Sequence, residues 1–133
     1  KALTIVPEAN RPPEIAAKID ELADYFLKHN LYRKSHDLNQ IAKPGWLRLG
    51  FPLMYNTDIL ELLGLFAQLN RSDPRLKDAL AILASKQQPD GRWLLENTFN
   101  GKMQVRIEHK GKPSKWITLK ALEVLKAFPS QVD

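Results

Sequence analysis

The chain has 133 residues, of which 44% are hydrophobic, 26% charged and 8% aromatic, with six glycines, nine prolines and no cysteine; a single domain is the expectation, burying roughly 65–70% of its unfolded surface. Disulfide scaffolds and thiolate zinc sites need cysteine and fall away, and no apolar run approaches the ~20 residues of a bilayer span or forms a secretory h-region, so a cytoplasmic protein with no membrane span is expected. The formal charge of +5 lies wholly in residues 67–133, twelve Lys or Arg against seven Asp or Glu, while residues 1–66 balance eight against eight.

Four segments carry helical periodicity. From Pro13 to about His29, Ile15, Ile19, Leu22, Ala23 and Phe26 share one stripe, with Pro13 suited to a first turn whose N–H is unneeded. From about Asp58 to Leu69 the chain is apolar almost all round, relieved by Glu61 and Gln68, which predicts an interior helix capped by Asn56, Thr57 or Asp58. Ser72-Asp73-Pro74 opens a third helix with the stripe Leu76, Ala79, Leu80 and Leu83. Leu94 to Phe99, Asn100-Gly101 and Lys102 to Glu108 then read as a β-hairpin, because Asn-Gly readily takes a type I′ turn. Ser114 caps a fourth helix with the stripe Leu119, Leu122, Leu125 and Phe128, stopped by Pro129. Both long connections are studded with aromatics and read as ordered loops.

The chain also reads as a duplication. A shift of 61 sets Pro13 on Pro74, Ile19 on Leu80 and Gly50-Phe51-Pro52 on Gly111-Lys112-Pro113; a shift of 59 sets Leu60 on Leu119 and Leu63 on Leu122. One domain over 1–133 with approximate repeats at 13–69 and 74–128 is therefore expected.

The end of the third helix, Ala79-x-x-Ile82-Leu83-x-x-x-Gln87-x-x-x-Gly91-x-Trp93, resembles the QW repeat of the squalene-cyclase and protein-prenyltransferase superfamily. It departs at Asp78, a usually basic position, and at Ile82, a usually aromatic one. The stretch from Gly50 to Phe128 is similar to small uncharacterised bacterial members, through Gly50 to Asp58 and Gly111 to Leu119. Pro89-Asp90-Gly91 makes a turn, from which Gln87 reaches orphan backbone groups at the helix end while Trp93 lies across that helix. The resemblance implies an α/α toroid tied together by such stacking. The fold expected is thus all-α: two helical hairpins, a partial toroid, with long ordered loops and a small β-hairpin.

The resemblance brings no chemistry. The cyclases' Asp-x-Asp-Asp acid motif is missing, and the prenyltransferases' zinc set needs a cysteine. His29, His36-Asp37 and His109 lack metal-ligand spacing; there is no nucleophile elbow or phosphate loop; and Glu96 and Glu108, facing across the hairpin, are a pair that could do acid–base work but read first as surface salt-bridge partners of Lys102 or Arg106. No catalytic residue, metal or cofactor is expected. The chain reads as a binding or structural module. One alternative is a fragment of a toroid enzyme whose catalytic residues lie outside it, a reading that the start at Lys1 without methionine allows. Another is an anionic-surface or nucleic-acid binder using the basic second half, although no nucleic-acid motif supports it.

A ligand, if the module takes one, is expected where the duplication places the two connections, before the inner helices. Arg48, His109, Lys112 and Lys115 would supply cations, Tyr55 and Trp116 flat walls, and the helix N-termini a preference for negative charge. An anionic or aromatic small molecule fits that set. Helix faces left uncovered by a missing repeat predict a homo-oligomer, or further repeats of a longer chain.

Overall fold

The computed structural model describes residues 1–131. Its helices are α1 (Pro13–Lys28), α2 (Ile59–Gln68), α3 (Lys77–Ser85) and α4 (Lys115–Ala127), and its strands are β1 (Arg33–Lys34), β2 (Asp37–Ile41), β3 (Trp93–Leu94) and β4 (Pro113–Ser114). With the 3-10 turns counted, helix accounts for 52%, and extended chain, mostly in two small antiparallel sheets, for 10%. The domain is therefore mixed α/β, and the expected all-α partial toroid is overturned. The strands escape helical-period reasoning because each spans only two to five residues, too few to show a period, and they form where the chain doubles back and backbone groups pair with one another. No helix among the described residues is long and apolar enough to cross a membrane.

The helices start where the sequence places them. Asp58 caps α2 by accepting from the Glu61 amide at 2.9 Å, Asp73 accepts from Arg75 ahead of α3, and Ser114 caps α4 by accepting from Ile117 at 3.1 Å. Their ends use no glycine. Asn30 and Leu31 follow α1 and Asn70 follows α2 at positive φ, and the Leu31 and Arg71 amides reach back to the carbonyls of Phe26 and Phe66, the six-to-one closure of a helix C-terminus.

α2 lies at the centre, as its all-round apolarity predicts. Ile59, Leu60, Leu62, Leu63 and Phe66 are buried, and α2 packs on both α3 and α4. Leu76, Ala79, Leu80 and Leu83 of the third-helix region join this core, together with Leu31, Tyr32, Leu49, Trp93 and Leu95 from the connections. α1 packs beside the 3-10 turns Ala2–Ile5 and Pro74–Leu76. It enters the core through Ala23 and Leu27.

α4 shows a second correction. Its buried side chains are Ile117, Ala121 and Val124, with Phe128 beyond its end, whereas Leu119 and Leu122 of the expected stripe are 51% and 49% exposed. β4 and the Ser114 cap set the helical phase, and Ala121 is small enough to lie closely against the core. Positions equated by the repeat consequently differ: Leu60 and Leu63 are buried where Leu119 and Leu122 are exposed.

The expected hairpin over 94–108 is replaced by a wider one. β3 pairs with β4 through Trp93↔Ser114 and Leu94↔Pro113, continued by the Leu95 amide to Lys112 and the Gly111 amide to Leu95. Asn100 and Gly101 have negative φ and lie in the 3-10 turn Asn100–Lys102. There the Asn100 amide does what ladder bonds would have done, donating to the Glu108 carbonyl and accepting from the Ile107 amide. The positive φ falls on Gly111, at +79°, where the absence of a Cβ makes it inexpensive.

Candidate functional site

Residues 49–51 and 95–97 bind the two long connections together. The Glu96 and Asn97 amides donate to the Leu49 carbonyl, and the Phe51 amide donates to Asn97. The Glu96 carboxylate accepts from the Leu49 amide at 2.8 Å and pairs with Lys86 at 2.7 Å. Gly50 is buried here, and a Cβ on it would lie 3.2 Å from the tip of Leu53 and in ordinary contact, 3.5 Å, with the Asn97 carbonyl, so a larger residue would need the Leu53 side chain to shift by a few tenths of an ångström. The Phe51 and Trp116 rings stack 17° from parallel at 5.3 Å, and Tyr55 leans on Phe99 at 5.3 Å.

The N-termini of α2 and α4 are already held by carboxylates of the chain. Asp58 is 1% exposed and accepts from both the Gly50 and Glu61 amides at 2.9 Å. Burial pushes its carboxyl up to about 6 from 3.8 against the lowering effect of those two bonds. At α4, Glu108 accepts from the Ser114 hydroxyl and the Lys115 amide. Glu96 and Glu108 are thus a brace and a cap, and neither stands in the facing-strand geometry expected from the sequence.

The QW-type residues meet, with their parts exchanged. Trp93 is fully buried, and its indole N–H, rather than the Gln87 amide, reaches the last turn of α3, donating to the Leu83 carbonyl at 2.7 Å. Gln87 is exposed and donates to the Gly91 carbonyl at 3.1 Å, closing the turn in which Gly91 takes φ +79°. The Trp93 backbone amide donates to the Thr118 hydroxyl on α4, so this residue joins α3 to α4.

Of the six residues expected at a ligand site, Arg48 and Tyr55 line one concavity of about 500 Å³, together with Lys43, Gly45, Trp46, Leu53, Asn56, Thr57 and Asn97. His109, Lys112, Lys115 and Trp116 do not line it. They lie at the exposed start of α4 and the turn before it, where the Lys115 ammonium sits 5.5 Å above the Trp116 ring. Among the described residues no Asp or Glu lines the concavity, and neither Lys43 nor Arg48 forms an ion pair. The Thr57 hydroxyl is buried without a hydrogen-bond partner. Trp46 belongs to the same aromatic connection that suggested a groove, and Lys43 could have been read from the same loop as Arg48, since a 3-10 turn at Pro44–Leu47 returns the chain within three residues. Asn97 left no sequence signal, because only the pairing of the connections brings it here.

Among the described residues no group of three or more His, Asp or Glu side chains converges as a metal site. Compared with protein-family models, with curated proteins and with solved structures, the chain matches none.

Proposed function

We propose that this chain is a binding module without a catalytic centre of its own, and that its ligand is a small aromatic anion held in the concavity of Lys43, Trp46, Arg48 and Tyr55. The observation that carries this reading is the combination of two cations without an ion pair and a lining without a carboxylate, both among the described residues. Elsewhere the chain matches many of its charges: Lys86 with Glu96, Arg33 with Asp78, Arg71 with Asp20. Trp46 and Tyr55 supply flat walls, while Asn56, Asn97 and Thr57 supply uncharged polar groups that orient a ligand. The volume, about 500 Å³, falls in the range of small-molecule sites, roughly 300–1,000 Å³.

The test is amide chemical-shift mapping with a panel of aromatic carboxylates, each beside its neutral carboxamide. Binding by carboxylates, with shifts centred on Gly45, Asn56 and Asn97, is the expected result. R48A and K43A should each weaken that binding by about tenfold, the size of one charge-assisted hydrogen bond. Carboxamides binding as tightly as carboxylates, or shifts confined to other surfaces, would refute the site.

A further inference from the structure

α4 carries a face that the domain does not cover. Trp116, Leu119 and Leu122 are 40%, 51% and 49% exposed, at successive three-residue steps that keep them on one side of the helix. They are rimmed by exposed Lys115 and Glu123, neither of which is ion-paired among the described residues. Trp116 is held in place, its ring stacked on Phe51.

We propose that this face is a homodimer interface, formed by two copies of α4 crossing antiparallel with the two-fold axis at Leu119. The occupant follows from the pattern of residues around that leucine. Lys115, Trp116, Leu122 and Glu123 lie three and four residues to either side of Leu119 and form the rim into which a facing side chain inserts. A two-fold axis through Leu119 pairs position 119−n with the partner's position 119+n. Leu119 meets its own copy, Trp116 meets the partner's Leu122, and Lys115 meets the partner's Glu123. Within four residues of the axis the large apolar side chains then meet one another and Lys115 and Glu123 meet their opposites, the self-complementarity that an isologous interface requires, while Lys120 faces the partner's Thr118 and Lys126 reaches past the start of the partner's α4 at position 115. The other register that joins the leucines, Leu119 to the partner's Leu122, would set Lys115 against the partner's Lys126 and is disfavoured. A single helix face buries less than about 1,200 Å² in all, at the weak end of specific interfaces, so dissociation on the order of tens of micromolar is expected. The interface is independent of the ligand concavity, whose lining contains no α4 residue.

Sedimentation equilibrium between about 10 and 500 µM at low salt tests the proposal, with the concentrations set to bracket the affinity of a small interface. The wild type should dimerise. L119E, at an exposed position, should keep its helical ellipticity and become monomeric. K115E and E123K should each self-associate at least tenfold more weakly, since each sets like charges opposite one another. An equimolar mixture of those two variants should associate again as a heterodimer, because both facing pairs are then opposite in sign. If K115E loses ellipticity through its proximity to the α4 cap, L119E against wild type decides alone. A wild type that stays monomeric throughout, an L119E variant that dimerises normally, or two well-folded charge variants whose mixture associates no better than either alone would overturn the interface.

Discussion

Trp93 joins two helices through three separate kinds of interaction: a fully buried indole, an N–H bond to the Leu83 carbonyl, and a backbone bond to Thr118. Trp93→Ala is expected to cost about 3–5 kcal/mol, the range for deleting a large packed aromatic. Trp93→Phe keeps most of the apolar volume but leaves the Leu83 carbonyl one bond short, at about 1–2 kcal/mol. Urea denaturation of both variants measures the two, and equal losses would mean that packing contributes little. Asp58 makes a different prediction. Its folded-state pKa is about 6, raised from 3.8 by burial, so the folded protein holds this proton more tightly than the unfolded chain. Acidification from pH 7 through 6 towards 4 therefore stabilises the fold, and that contribution is lost as pH rises back through 6. A shift of about two units corresponds to something on the order of 3 kcal/mol. Stability of the wild type relative to Asp58→Asn should rise by up to that amount as pH is lowered from 7 to 4. A flat difference across that window would show that the two amide bonds offset the burial.

α4 depends on its start more than on its sequence propensity. Ser114 and Glu108 satisfy the Ile117 and Lys115 amides between them, and the Ser114 hydroxyl joins the two residues. Ser114→Ala should cost about 1–2 kcal/mol as the loss of a buried N-cap, and Glu108→Gln about 0.3–1 kcal/mol as the loss of negative charge at the positive end of the helix. Hydrogen exchange at the Lys115 and Ile117 amides should quicken in both variants while the α2 amides keep their protection; uniform quickening would mean that the cap supports the whole domain. The existence of all four helices was legible, because proline and cap residues mark their starts and apolar residues recur at helical spacing. The buried face of α4 was not. Leu119 and Leu122 look like core, but Ile117, Ala121 and Val124 offer an equally regular stripe more than about a quarter of a turn away, and periodicity cannot choose between stripes that both recur at helical spacing.

At the scale of the whole molecule, the mixed α/β architecture departs from the all-α partial toroid expected from the sequence. Gln87, Gly91 and Trp93 form a local turn-and-seal unit, which any helix followed by a tight turn can use. Such a unit does not oblige its neighbours to form a toroid. The connections determine the architecture here, pairing 49–51 with 95–97 and β3 with β4. That pairing also determines the candidate site: it brings Asn97 to Arg48 and Tyr55 and leaves His109, Lys112, Lys115 and Trp116 on another face.

What the sequence by itself determined were the features set within a few residues. These include the helix starts at Pro13, Asp58 and Ser114, the central position of α2, the turn at Pro89-Asp90-Gly91, and the placing of the +5 charge in the second half. Only the tertiary structure decided which face of α4 is buried, where the second sheet closes, which carboxylates cap helices, and which loop side chains share a concavity. The reason is one of range. Capping and periodicity act over three or four residues along the chain, whereas the bonds of Leu49 to Glu96 and of Trp93 to Leu83 and Thr118 join residues 10 to 47 positions apart and exist only once the core has brought them together.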